Sequence, residues 1–227
     1  MVNRNRQGHV SRPFTLDFPH DRPDSLGRGE EAQVSHAQVV LRNRTVEGFA
    51  FKEYHNEGRA VHALKSYIHL KQAGLPVPRT FRLVKEGERY SGILMSDLTK
   101  GWTDILITSN QTKQQVIGQV FRNHPATVEL LARYDLQSPE RLEALKAKLL
   151  GIAKQATDHR IEFNAHDVLS AIFHSNGEIE FMISDMGNVH LNSELTDNDL
   201  LRRNSGSALG ILLMISEGQR IAKAIIE

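Results

Sequence analysis

The chain has 227 residues, with 28 Lys+Arg against 27 Asp+Glu and a formal net charge of +1, a balance that gives no strong indication of nucleic-acid binding. It contains no cysteine, which excludes disulfides, thiolate metal sites and a cysteine nucleophile and is compatible with the reducing cytoplasm in which we expect the protein to reside. No apolar run approaches the roughly 18 residues of a membrane-spanning helix, so we expect no membrane span.

The first half of the sequence is typical of a small antiparallel sheet with one helix. Residues 1–22 are polar and basic and are expected to form a flexible tail. Strands are predicted over 34–42, 46–54, 80–84 and 89–95. Phe49 and Phe51 lie on one face of the second of these strands and Lys52 on the other. The spacing of apolar residues predicts a helix over 57–73 that ends at Gly74.

The second half is mostly helical, with an embedded β-hairpin. Helices are predicted over 111–122, 126–134, 139–158, 196–202 and 205–226. Ser205-Gly206-Ser207 indicates a turn before the last helix, and Trp102 is expected to pack between two lobes. These elements predict an α+β protein with a tail (1–22), a first lobe (23–97) and a reduced helical second lobe (98–227).

Two carboxylates are placed symmetrically about the strongest turn signal of the chain, Asn176-Gly177. Asp167 lies nine residues before Asn176 and Asp185 lies nine residues after it. Both carboxylates are therefore predicted at the open end of one hairpin, on strands about 4.8 Å apart. A divalent cation such as Mg²⁺ could bridge them, or each could have a separate role; alternatively, Asp167 caps a turn and Asp185 simply ends a strand.

Several motifs, in order, resemble those of the protein-kinase-like superfamily, in particular small atypical bacterial kinases of the aminoglycoside phosphotransferase and lipopolysaccharide-kinase types. The similar segments are Leu26-Gly27-Arg28-Gly29 through Val34, Phe49-Ala50-Phe51-Lys52, Gly74-Leu75-Pro76-Val77-Pro78, Gly92 through Leu98, and Asp185-Met186-Gly187. No single segment is specific, but together they cover roughly residues 25–190 in the order and spacing of that superfamily.

The resemblance implies a two-lobed fold that binds ATP and Mg²⁺ and transfers a phosphoryl group to a hydroxyl acceptor. The roles it implies are nucleotide contacts for Gly27, Gly29, Lys52, Glu57, Met95 and Asp97, a metal contact for Asp185, and a catalytic base at Asp167 or His166.

The departures from the family pattern leave two alternatives open. With Asp167 as the base, Ile172 stands where the family has a metal-binding Asn; with His166 as the base, Ala171 stands there. Glu57 is the only carboxylate of its helix, whereas the family's spacing places His62 as the partner of the lysine. The protein is therefore expected to be an atypical kinase, or alternatively a pseudokinase that binds a nucleotide or a protein partner without catalysis.

Overall fold

A computed structural model describes residues 15–17, 27–28, 32–41, 44–86, 89–108, 113–163 and 168–227. The strands are β1 (Thr15–Asp17), β2 (Gly27–Arg28), β3 (Ala32–Leu41), β4 (Arg44–Tyr54), β5 (Phe81–Glu86), β6 (Arg89–Ser96), β7 (Ile105–Thr108), β8 (Ile161–Phe163), β9 (Leu169–Phe173), β10 (Ile179–Ile183) and β11 (Val189–Leu191). The α-helices are α1 (Glu57–Gln72), α2 (Lys113–Arg122), α3 (Pro125–Ala132), α4 (Pro139–Asp158) and α5 (Asp197–Ile226).

The first sheet has the strand order β1-β3-β4-β6-β5, with β2 paired to β3, and every pair in it is antiparallel. Alternate residues of β4 face opposite sides of this sheet. Phe51 packs in a small cluster with Val84 and Leu94, and Phe49 packs against that cluster. Lys52 faces the other side, as the sequence predicted, and lies in register with the buried Ile93 of β6.

Two smaller antiparallel sheets belong to the second half of the chain. The predicted hairpin is confirmed: β9 pairs with β10 from Leu169↔Ile183 to Ile179↔Phe173, and Gly177 has a positive φ of 83° at its turn. Strand β7, which we did not predict, pairs with the other edge of β9, and β8 pairs with β11. The α+β class predicted from the sequence is therefore confirmed.

Helix α5 corrects our prediction of two helices separated by Ser205-Gly206-Ser207. One continuous helix of 30 residues runs from the Thr196 cap to Ile226. It passes through the predicted turn because Asn204 donates hydrogen bonds to Ile161 and Thr157 and accepts one from the Phe163 backbone. These tertiary bonds stabilise helical backbone where local propensity favours a turn.

A large apolar core continues from the first sheet into the helices of the second half. It includes Ala50 and Ile93 of the first sheet, Leu149 of α4 and Ile215 of α5. This burial is the main force that packs the two halves together. Among the described helices, none combines the length and the apolar character that crossing a membrane requires.

Candidate functional site

An ion pair joins the first sheet to the end of the hairpin. Nζ of Lys52, on β4, donates a hydrogen bond of 2.8 Å to Oδ1 of Asp185, which follows β10 and lies 133 residues further along the chain. The register explains the approach: Ser184 and Asp185 donate backbone hydrogen bonds to the Val168 carbonyl, at the open end of the hairpin. Two residues predicted from separate motifs therefore meet at one place.

The environment of Lys52 keeps its ammonium charged. Burial alone lowers the pKa of this group, since the side chain is only 14% exposed, but the Asp185 carboxylate and Tyr54 outweigh that effect and raise the pKa. The Lys52 ammonium also lies 5.2 Å from the centre of the Tyr54 ring, within the range of a cation–π interaction. Lys52 is thus a fixed cation in a largely desolvated position.

The Asp185 carboxylate is more accessible than its partner. Its side chain is 26% exposed, and it caps the short 3₁₀ turn Met186–Asn188 by accepting a hydrogen bond of 3.2 Å from the Gly187 backbone. Its second oxygen, Oδ2, has a longer contact of 3.4 Å with Nδ2 of Asn188. One face of the carboxylate therefore remains available to a ligand.

As a metal site, this carboxylate fits Mg²⁺ only in combination with ligand oxygens. Within the described ranges, no group of three or more His, Asp or Glu side chains could hold a metal ion. Magnesium is commonly bound through one or two carboxylates together with substrate phosphates. Asp185 could supply one such ligand, and phosphate and water oxygens would have to supply the others.

Helix α1 provides no carboxylate partner for Lys52 along its buried face. Glu57 lies in the first turn of the helix, and its Oε1 accepts a hydrogen bond of 3.3 Å from the Tyr90 backbone. The His62 ring packs against the His190 ring of β11, with centroids 5.1 Å apart. Burial, followed by the neighbouring charge of His62, lowers the pKa of His190.

Asp97 and Met95 lie where β6 leaves the first sheet. Met95 is buried in the core and pairs with Ala50. The Asp97 carboxylate accepts hydrogen bonds from the backbone and hydroxyl of Thr99, at 2.8 and 2.7 Å, and from the Gly101 backbone at 3.1 Å. Burial raises the pKa of Asp97, but hydrogen bonds, the strongest involving His36, lower it overall. Through these hydrogen bonds the Asp97 carboxylate stabilises the turn after β6.

The remaining predicted residues are less fully described. Gly27 lies in β2, opposite Val34 of β3, whereas Gly29, His166 and Asp167 lie outside the described residues. Both alternative Asn positions fall in β9, where Ala171 and Ile172 are buried at 1% and 2% exposure. Their apolar side chains have no metal-binding atoms.

Two buried polar residues outside the ion pair, Asp104 and His36, were not predicted to have these roles. Asp104 has no exposed surface, and its carboxylate binds Lys100 at 2.8 Å and His174 at 2.8 Å, which fixes the hairpin turn to the segment after β6. Nδ1 of His36 lies 3.0 Å from Oδ2 of Asp97. In sequence, the only available signal was a lone polar residue at an apolar strand position, as for His36 in β3.

No family model and no curated protein matches this chain. A crystal structure of Cex1p is similar with a TM-score of 0.38 and 9% sequence identity, over 89% of this chain and 31% of that one. The chain thus spans about a third of the length of that protein.

Proposed function

We propose that this protein is an atypical kinase-like phosphotransferase that binds ATP and Mg²⁺ and phosphorylates a hydroxyl acceptor. The observation that carries the proposal is the 2.8 Å pair between Lys52 and Asp185. A largely buried cation and a partly exposed carboxylate, brought together from distant segments, are the two groups that a phosphate–magnesium ligand requires.

In this proposal, Lys52 binds phosphate oxygens, for which its raised pKa keeps it protonated at all physiological pH values. Asp185 holds the metal through its accessible face. When bound, Mg²⁺ neutralises charge on the phosphates. Asp167 or His166 accepts the proton of the acceptor hydroxyl, whose oxygen forms a bond to the terminal phosphorus while the bond from that phosphorus to ADP breaks.

A second candidate is a pseudokinase that binds a nucleotide or a protein partner without transferring phosphate. Two observations favour it. Ala171 and Ile172 are buried and apolar where the family has a metal-binding Asn. Lys52 pairs with Asp185 itself, while His62, at the position that the family gives to a carboxylate, packs on His190. Both departures would weaken catalysis more than nucleotide binding.

Calorimetric titration with ATP, with and without Mg²⁺, tests the shared nucleotide-binding part of both candidates. We expect Mg²⁺-dependent binding to the wild type, lost or weakened at least about tenfold in Lys52→Ala and Asp185→Asn. Lys154→Ala is the matched control, because Lys154 forms an exposed pair with Asp158 on α4. No binding at millimolar ATP, or equal binding by all variants, would refute nucleotide binding at this site.

Turnover separates the two candidates. A phosphotransferase is expected to hydrolyse ATP slowly to ADP and phosphate when water replaces the acceptor, and Asp185→Asn should abolish this activity. A pseudokinase is expected to bind ATP and to release no ADP above the level of the Asp185→Asn variant. ADP release that is the same in wild type and variant would therefore contradict the phosphotransferase.

A further inference from the structure

The segment that follows β6 has an unusual backbone. Lys100, Gly101 and Trp102 have consecutive positive φ values of 46°, 67° and 72°. This left-handed conformation suits glycine but is unfavourable for lysine and especially for the bulky tryptophan. Such strain persists only where surrounding contacts hold it, and it clusters at active sites, ligand clamps and switch regions.

The surrounding contacts hold both ends of the strained segment. The Asp97 carboxylate accepts the Gly101 backbone N–H at 3.1 Å, and the Trp102 carbonyl accepts the His124 backbone N–H at 3.1 Å. The Arg122 guanidinium also lies 5.8 Å from the centre of the Trp102 ring. The strain is thus offset by specific bonds and by burial of the indole.

The indole of Trp102 lies on the same sheet face as Lys52. Trp102 is 9% exposed, and its ring meets the His36 ring edge-on, with centroids 5.2 Å apart. His36 pairs with Ala50, which is two residues before Lys52 on β4 and therefore faces the same side. Two residues of a strand span about 6.8 Å, so the His36–Ala50 pair, which the indole contacts through His36, is the next pair on this face from Lys52.

Two buried polar atoms in this contact are unsatisfied. Within the described part of the chain, Nε1 of Trp102 and Nε2 of His36 have no hydrogen-bond partner. Buried polar groups are nearly always paired in stable native structures, and leaving them unpaired costs free energy. The position of Trp102 over His36 therefore costs free energy in two ways, through backbone strain and through unpaired polar atoms.

We propose that the Trp102 indole is a plug on this sheet face, and that a ligand carrying a planar aromatic ring, such as a nucleobase, displaces it on binding. The proposal rests on the proposed function, because the ring must be attached to a phosphate group that engages Lys52. Displacement would relieve the strain at Lys100 and Trp102 and expose the unpaired nitrogen of His36 to the incoming ring. Only the fraction of molecules with an open plug would bind, which weakens the apparent affinity.

Intrinsic fluorescence tests the plug in the unaltered protein, because Trp102 is the only tryptophan of the chain. Titration with ATP is expected to shift the emission maximum to longer wavelength and to increase quenching by acrylamide. Inorganic tripolyphosphate, which has no ring, is expected to bind without either change. ATP binding in the calorimeter with unchanged emission would overturn the plug while leaving the proposed function intact, as would an equal shift caused by tripolyphosphate.

The variant Trp102→Ala supplies a second, independent test. Removing the plug is expected to tighten ATP binding about tenfold or more and to leave tripolyphosphate binding unchanged. Phe121→Ala is the control, because Phe121 is a 67% exposed aromatic residue of α2 and its removal should not change ATP binding. ATP binding to Trp102→Ala that is equal to or weaker than wild-type binding contradicts the plug. Failure of ATP to bind either protein contradicts both the plug and the proposed function.

Discussion

Removing one partner of the Lys52–Asp185 pair should destabilise the folded protein, and the loss should depend on which partner is removed. Asp185→Asn leaves the Lys52 ammonium in a site where its side chain is only 14% exposed. Lys52→Met keeps most of the length of the side chain and leaves a carboxylate that is 26% exposed and still accepts the Gly187 N–H. Because water reaches the carboxylate more easily, the abandoned lysine is the costlier of the two charges.

Breaking a fully buried pair costs about 3–5 kcal/mol. Since Asp185 is partly exposed, we expect Asp185→Asn to lower the free energy of unfolding by about 2–3 kcal/mol and Lys52→Met by about 1 kcal/mol. In urea, where m is about 2 kcal/mol/M, the first change lowers the midpoint by roughly 1 M. The raised pKa of Lys52 makes this contribution complete below its ordinary value of 10.5 and lost only as pH rises through the raised value. Neutral pH is therefore suitable.

A double-mutant cycle in urea isolates the interaction energy of Lys52 with Asp185. Asp158→Asn is the matched control, because its exposed pair with Lys154 should contribute less than about 0.5 kcal/mol. An interaction energy below that value, or a larger loss for Lys52→Met than for Asp185→Asn, would refute the assignment of the pair as a stabilising contact between a largely buried lysine and a partly exposed carboxylate.

Three further predictions concern other parts of the fold. Asp104→Asn should lower the free energy of unfolding by about 2–4 kcal/mol in urea, whereas Glu180→Gln, whose carboxylate is 52% exposed, should change it by less than about 0.5 kcal/mol. The folded-state pKa of His190 is lowered from 6.5 by burial and by neighbouring charge, so the unfolded state binds its proton more readily; stability should fall as pH drops below 6.5, and His190→Gln should reduce that slope. A Cβ at Gly92 would collide with the Lys52 carbonyl oxygen, whereas one at Gly151 would meet nothing within 4 Å; Gly92→Ala should therefore lower the melting temperature, and Gly151→Ala should leave it unchanged or raise it.

Local sequence patterns were sufficient to predict much of the fold. The alternation of Phe51 and Lys52 predicted the face on which the lysine lies, because period-two alternation leaves little freedom in a strand paired on both sides. Counting outward from Asn176 predicted that Asp185 leaves the hairpin at its open end, because the two-stranded register fixes position once the turn is known. These two placements alone do not bring Asp185 to Lys52. The two residues meet only because the two halves of the chain pack together.

The remaining features depend on contacts between distant segments. The helix α5 continues through Gly206 because Asn204 is bonded to residues more than 40 positions earlier, which no local propensity encodes. The sequence shows Asp97 only as a charged residue after a strand. In the structure its carboxylate accepts hydrogen bonds from Thr99 and Gly101, which local patterns did not predict. His36 is likewise buried because the Trp102 ring, from a distant segment, packs against its ring.

The pairing of Lys52 with Asp185 follows from the lack of a carboxylate on the buried face of α1. A desolvated ammonium requires an anion nearby, and the buried face of α1 provides none, because its residues are Ala60, Ala63, Ser66, Tyr67 and Leu70. Asp185 is the anion that packing brings within 2.8 Å, because the Met186–Asn188 turn that it caps packs against α1. The pair is therefore neutral as a whole. An anionic ligand that binds Lys52 removes the charge partner of Asp185, and the Asp185 carboxylate then requires another cation. Under the proposed function, phosphate binding and divalent-cation binding are for that reason expected to be coupled, each strengthening the other by the same factor.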